Sequence, residues 1–144
     1  MQCKVCLSNQ AKLRISPGPT IFTGKYWLVE HCYPSQTAGR LVIALKRHVH
    51  ALHELTTEEY IEFAKILELT ISSLHACYLS DVEYCACFSE QPGFEHIHFH
   101  IIPRGTERTV KGPQFMQTNG PQLSDDEVIQ TISMLLPYFN RSIA

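Results

Sequence analysis

The segment His96-Ile97-His98-Phe99-His100-Ile101-Ile102-Pro103-Arg104 decides how this chain is read. It alternates with period two, as a β-strand does, so Ile97, Phe99 and Ile101 share one face and His96, His98 and His100 the other. Burial against a helix accounts for the apolar face. The imidazole face needs a different account, because three positions in register carry one residue type and each ring requires a partner or water. A single metal ion bound by all three is excluded by length. His96 and His100 lie about 13 Å apart along a strand, whereas zinc–nitrogen bonds are about 2.0–2.1 Å. The trio therefore divides its work.

Around that strand stands a chain of 144 residues, one domain's worth, spanning 1–144 without a boundary. Apolar residues at 44% and charged residues at 18% place it among globular chains. Twelve Lys+Arg against fourteen Asp+Glu leave a net charge of −2, which gives no electrostatic footprint for duplex nucleic acid. No apolar run approaches the ~20 residues of a membrane-spanning helix. The N-terminal residues lack the pattern of a signal peptide, so the expectation is a cytoplasmic protein. Six cysteines and eight histidines are out of line with this plain composition.

The first half reads as short strands broken by turn residues: Ala11–Ser16, Thr20–Thr23, Tyr26–His31 and the apolar Leu41–Leu45. Thr56 and Glu59 form a capping box at the start of one long helix, whose stripe of Tyr60, Ala64, Leu67, Ile71, Leu74 and Tyr78 is expected to face the core. Strands Val82–Phe88 and His96–Ile102 follow, joined by a tight connection. Residues 104–122 read as an irregular stretch of the kind that serves as a lid or interface. Ser124 and Glu127 cap a second helix with the stripe Val128, Ile132, Leu135 and Phe139, its end weakened by Pro137. The fold class is α+β: an antiparallel sheet of about five strands, one long helix and a C-terminal helix.

The pattern His-φ-His-φ-His-φ-φ before Pro103-Arg104 resembles the signature of the histidine triad (HIT) superfamily of nucleotide hydrolases and transferases. The likeness extends upstream through Gly39-Arg40-Leu41-Val42-Ile43 and Lys46-Arg47-His48, and covers the motif-bearing core 1–104; the loop and helix at 105–144 fall outside it. The resemblance implies that His98 is a nucleophile attacking an α-phosphate to form a nucleotidyl-histidine. It implies that His100 binds the phosphate and steadies developing charge. Gly93 is expected, from its position alone, to add backbone donors. Two positions depart from the family pattern. Arg40 stands where many relatives carry a His, and is expected at the phosphates or beside the triad. The amide residue of the preceding strand falls near Cys85 or Cys87.

Cys3 and Cys6 form a C-x-x-C with three readings: a redox pair, a disulfide, or half a zinc site. No βαβ setting or helix at Cys3 is evident for the first, and a reducing compartment disfavours the second. The resemblance completes the third, since zinc-bearing relatives join such a pair to residues matching His48 and His96. Cys3, Cys6, His48 and His96 would make a closed structural zinc site. His31, His50, His53 and His75 are expected in surface or capping roles.

The expected partner is a small-molecule nucleotide, with no duplex nucleic acid and no membrane, and the resemblance adds a homodimer. Hydrolysis is favoured over transfer because the third triad position is His100, where uridylyltransferases carry Gln. The competing class is a nucleotide- and zinc-binding module with negligible turnover. A cupin-like oxygenase lacks its Glu after the His pair, since Ile101-Ile102-Pro103 stands there.

Overall fold

A computed structural model describes residues 2–106, 109–116 and 120–143. Helix α1 spans Lys4–Asn9, followed by strands β1 (Phe22–Thr23), β2 (Trp27–His31) and β3 (Leu41–Leu45). Helix α2 (Thr57–Tyr78) leads to β4 (Val82–Ala86) and β5 (His98–Arg104), then to the short α3 (Pro113–Met116) and to α4 (Asp125–Leu135). The five strands form one antiparallel sheet in the order β1-β2-β3-β5-β4. The α+β layout is as the sequence predicts.

β5 lies between β3 and β4, so its side chains are fixed on both flanks. One sheet face carries Trp27, Val29, Leu41, Ile43, Leu45, Ile97 and Ile101, all buried in one core with Ile66, Leu69 and Leu74 of α2 and Val128, Ile132 and Leu135 of α4. Phe99 joins it, 4.2 Å from the Phe63 ring centroid and 6.0 Å from that of Trp27. Pro103 sits where β5 has run past its β3 pairing and faces only β4, so its missing N–H costs no bond between the inner strands.

The stripe of α2 is broader than the one expected: Leu67, Ile71, Leu74 and Tyr78 pack on the core as predicted, but the N-terminal end differs. Tyr60 and Ala64 are exposed, while Glu59, Ile66, Leu69, Thr70, Ser73 and Leu74 are buried. Glu59 is buried there and Glu62 half-buried, each with backbone or guanidinium donors that make its burial tolerable. Glu62 accepts the backbone N–H groups of Lys25, Tyr26 and Trp27 at 2.6–3.0 Å, clamping the β1–β2 turn onto α2. Glu59 accepts from Arg47 Nε at 2.7 Å. Thr56 still caps the Glu59 amide, but Glu59 is thereby drawn away from the second arm of the expected box. The box at Ser124 and Glu127 has both arms, and α4 passes into a 3-10 turn at Leu136–Phe139, around Pro137.

Three strand expectations need correction. Ala11–Ser16 is irregular, because Ala11 adopts φ +56° and the Ile15 amide is taken by Ser8 Oγ instead of a ladder. Thr20–Thr23 shrinks to two residues. The triad strand begins at His98, so His96 lies just before it. Among the described residues, no helix is long and apolar enough to cross a membrane.

Candidate functional site

The sheet face opposite the helices carries Glu30 of β2, Val42 and Ala44 of β3, and His98 and His100 of β5. A cavity of about 660 Å³ lies over it, walled by α1 and by the segments containing Tyr33, Met116 and Gln122. His98 and Ala44 are cross-strand partners, as are His100 and Val42, so both imidazoles rise beside an apolar floor.

Hydrogen bonding gives the two rings opposite tautomers. His98 Nδ1 lies 2.6 Å from the His96 carbonyl. A carbonyl only accepts, so Nδ1 carries the proton and Nε2 a lone pair. Arg40 Nε donates to His100 Nδ1 at 3.3 Å, which places the single ring proton of neutral His100 on Nε2. One ring thus offers a nucleophile and its neighbour a donor, with centroids 5.2 Å apart. Burial lowers the pKa of His98 below the usual imidazole value. Burial, the Arg40 charge and His98 push His100 down to about 3. Both rings are neutral at pH 7.

Arg40 is half-buried, touching the triad's outer edge as its position suggests, and it also donates to the Met116 carbonyl at 3.3 Å. Gly39 sets its approach: it has φ +85°, and a Cβ there would come 2.6 Å from the Tyr78 ring. Where they are described, residues 104–122 carry the short α3 and pack against the body of the fold. Phe115 is buried beside Tyr84, and the Leu123 amide bonds the Ser35 carbonyl. Residues 107–108 and 117–119 of this stretch lie outside the described residues.

Cys3, Cys6, His48 and His96 come together, each offering a ligand atom within 4.8 Å of the others. The Sγ atoms of Cys3 and Cys6 lie 3.5 and 3.4 Å from His96 Nδ1, Cys6 Sγ lies 3.4 Å from His48 Nδ1, and the two Nδ1 atoms are 3.3 Å apart. A tetrahedral zinc with ordinary bond lengths requires edges of about 3.6 Å for S–N and about 3.3 Å for N–N. The set fits that ion. His96 Nε2 donates to the Leu45 carbonyl at 2.7 Å, which turns the Nδ1 lone pair toward the cluster. Burial holds His96 down at about 4, in its ligating neutral form. Cys6 is pushed up to about 11 by burial and by Cys3, so a thiolate there needs a cation beside it. The sequence signal for α1 was missed: Cys3 is its N-cap, accepting from the Cys6 amide at 3.4 Å.

Other expectations resolve differently. Gly93 lines a small hollow with Cys3, His48, His50 and Glu95, apart from the His98–His100 cavity. Its carbonyl takes the Lys4 amide. Cys85 pairs with Ile101 and so points to the helix side, where Cys87 also packs; Ala86 is the β4 residue beside His100. His31 is buried, correcting the surface role expected for it. Its Nδ1 donates to the Cys32 carbonyl and its Nε2 accepts the Gly39 amide. His50 and His53 are exposed, and His75 Nδ1 caps the Ser80 carbonyl after α2.

No protein-family profile matches the sequence, and no curated protein matches it. Solved structures do. A HIT-like protein from Bartonella henselae aligns over 94% of this chain and 95% of its own, at 14% identity and a TM-score of 0.73. A zinc-bound histidine triad family protein from Mycobacterium smegmatis aligns over 95% and 92%, at 17% identity and a TM-score of 0.71. A Plasmodium falciparum diadenosine triphosphate hydrolase aligns over 87% and 78%, at 16% identity and a TM-score of 0.67. The strand order, the paired imidazoles and these likenesses agree: the chain has the histidine triad fold.

Proposed function

We propose that this chain is a nucleotide-phosphate hydrolase acting at an α-phosphate through a covalent intermediate on His98. The opposed tautomers of His98 and His100 carry this reading. His98 Nε2 attacks the phosphorus as the bond to the leaving group breaks. The ring then bears a positive charge, and its Nδ1–H bond to the His96 carbonyl strengthens accordingly. His100 Nε2–H donates to a phosphate oxygen, and the Arg40 guanidinium behind it adds positive potential. Water then attacks the phosphorus, the P–N bond breaks, and a nucleoside monophosphate leaves with His98 restored. The Plasmodium neighbour, a hydrolase of a dinucleoside polyphosphate, supports the substrate class.

Cys3, Cys6, His48 and His96 would hold zinc. That ion would supply a closed structural cross-link, leaving the chemistry at His98 to the protein's own groups.

A second reading, a binding module with negligible turnover, is favoured by one observation. His100, held near 3 with Arg40 against it, cannot protonate a leaving group as a cationic acid. Purified protein is to be assayed against adenosine phosphoramidate, dinucleoside polyphosphates and nucleotide sugars. Release of a nucleoside monophosphate, with a phosphorus-labelled His98 trapped on rapid quenching, is the expected result. Tight monophosphate binding without turnover of any of them would establish the module instead.

A further inference from the structure

The cavity floor has a second polar pole that the histidines do not explain. Glu30, Val42 and His100 form one cross-strand row, and all three line the cavity. Two strand spacings, about 9–10 Å, separate its ends. Glu30 is buried at the far end, where Arg14 Nη1 and Thr20 Oγ1 donate to Oε1 at 2.7 and 2.8 Å, and Arg14 Nη2 donates to Oε2 at 2.8 Å. Each carboxylate oxygen accepts about two hydrogen bonds. Among the described residues Oε1 is filled, while Oε2 has one donor and one acceptor position left. The Arg14 charge cancels that of the carboxylate, so the pole suits a neutral donor and not a second phosphate.

We propose that Glu30 is the specificity-determining residue of this cavity, accepting through Oε2 a hydrogen bond from the nucleoside half of a substrate whose phosphate sits at His98 and His100. This rests on the nucleotide reading of the same site. The length of the row brackets the reach from a nucleotide's phosphate to its sugar hydroxyls and to the amino group on its base. Val42 and Ala44 between the poles give the flat, apolar bed over which a sugar and base can lie. A sugar hydroxyl and an exocyclic amine are the two sources of such a donor. An ion pair serving only to pin residues 14–20 to β2 would make no distinction among substrates.

The test uses nucleoside 5′-phosphoramidates in matched sets: adenosine, its 2′- and 3′-deoxy forms, and purine riboside, with guanosine against inosine. Deleting the donor that meets Glu30 should lower kcat/KM by about 10- to 100-fold, chiefly through KM. The sugar and base arms identify which donor it is. In Glu30→Gln the free acceptor becomes an amide N–H, so the same deletion should cost less than threefold. Should that variant not fold, Arg14→Lys, which keeps the charge but loses the two-pronged hold, should shrink the same discrimination.

Calorimetric binding of the matching monophosphates should give the same ranking. A ranking in binding without turnover upholds Glu30 while removing the hydrolase. Turnover of all substrates within threefold of one another overturns the role of Glu30 and leaves the hydrolase standing. Failure to bind any of them overturns both.

Discussion

The His96 carbonyl accepts a 2.6 Å hydrogen bond from His98 Nδ1, while the His96 ring faces Cys3, Cys6 and His48. A single residue therefore presents its side chain to the Cys/His cluster and its backbone to the His98 imidazole. The two centres are adjacent without sharing a side chain.

Replacing His98 with Ala should abolish turnover, by at least about a thousandfold, because a covalent nucleophile has no substitute nearby. Its ring is half-buried on the cavity side and contributes little to the core. Rates and melting curves measured together check this; near-wild-type hydrolysis would sink the assignment.

Phe99→Ala, one residue along, should do the reverse. Losing the ring packed against Phe63 and edge-on to Trp27 should cost about 3 kcal/mol of stability in denaturant titration. Residual folded protein should retain most of its kcat.

Arg40→Ala should raise the pH at which His100 titrates, leaving the acid limb of the pH–rate profile to His98. Burial alone keeps His98 below the ordinary imidazole value, so wild-type activity should persist somewhat below pH 6.5 and fall only as His98 protonates. Without the Arg40 charge, His100 loses one of the influences holding it near 3 and titrates at higher pH. An NMR titration of the His100 ring should therefore move to higher pH in the variant; coincident titration curves would argue against coupling.

Acid should also destabilise the fold. His31 has a depressed value in the folded state from burial, so the unfolded chain binds its proton first. Stability is then present above about pH 6.5 and is lost as pH falls below that unfolded value. His31→Gln should flatten the dependence of Tm on pH between about 7 and 5, and an unchanged slope would refute its contribution.

Cys3→Ser should lower zinc content, from one ion per chain, and Tm together, as elemental analysis and calorimetry would reveal. Protein purified without chelator and free of zinc would count against the site.

Much of this arrangement was legible because it depends on local pattern. The alternation from His96 to Ile102 fixed the two faces of β5, and Ser124 with Glu127 marked α4 correctly. The stripe of α2 is legible from Leu67 to Tyr78 but not at its start, because Glu59 and Glu62 look like surface residues until Arg47 and the β1–β2 amides are known to meet them. The same blindness hid Glu30, whose burial depends on Arg14 and Thr20 across a loop. The helix at Lys4–Asn9 was missed because a cysteine served as its cap, a role ordinarily read from Ser, Thr, Asp or Asn.

Cys3 and His96 are 93 residues apart in the chain, and they meet at 3.5 Å. Closing a loop of that length by an ion removes unfolded-chain entropy worth about 4–5 kcal/mol, if it acts as a covalent cross-link does. The order of synthesis then matters. The two cysteines emerge first, and His48 follows, but the fourth ligand appears only when most of the chain has been made. Until β5 takes its place between β3 and β4, the N-terminal cysteines are unprotected thiols, open to oxidation or to a competing metal. If the four residues hold zinc as proposed, metal capture would belong to the last stage of folding, and a chain interrupted before His96 would carry an incomplete ligand set.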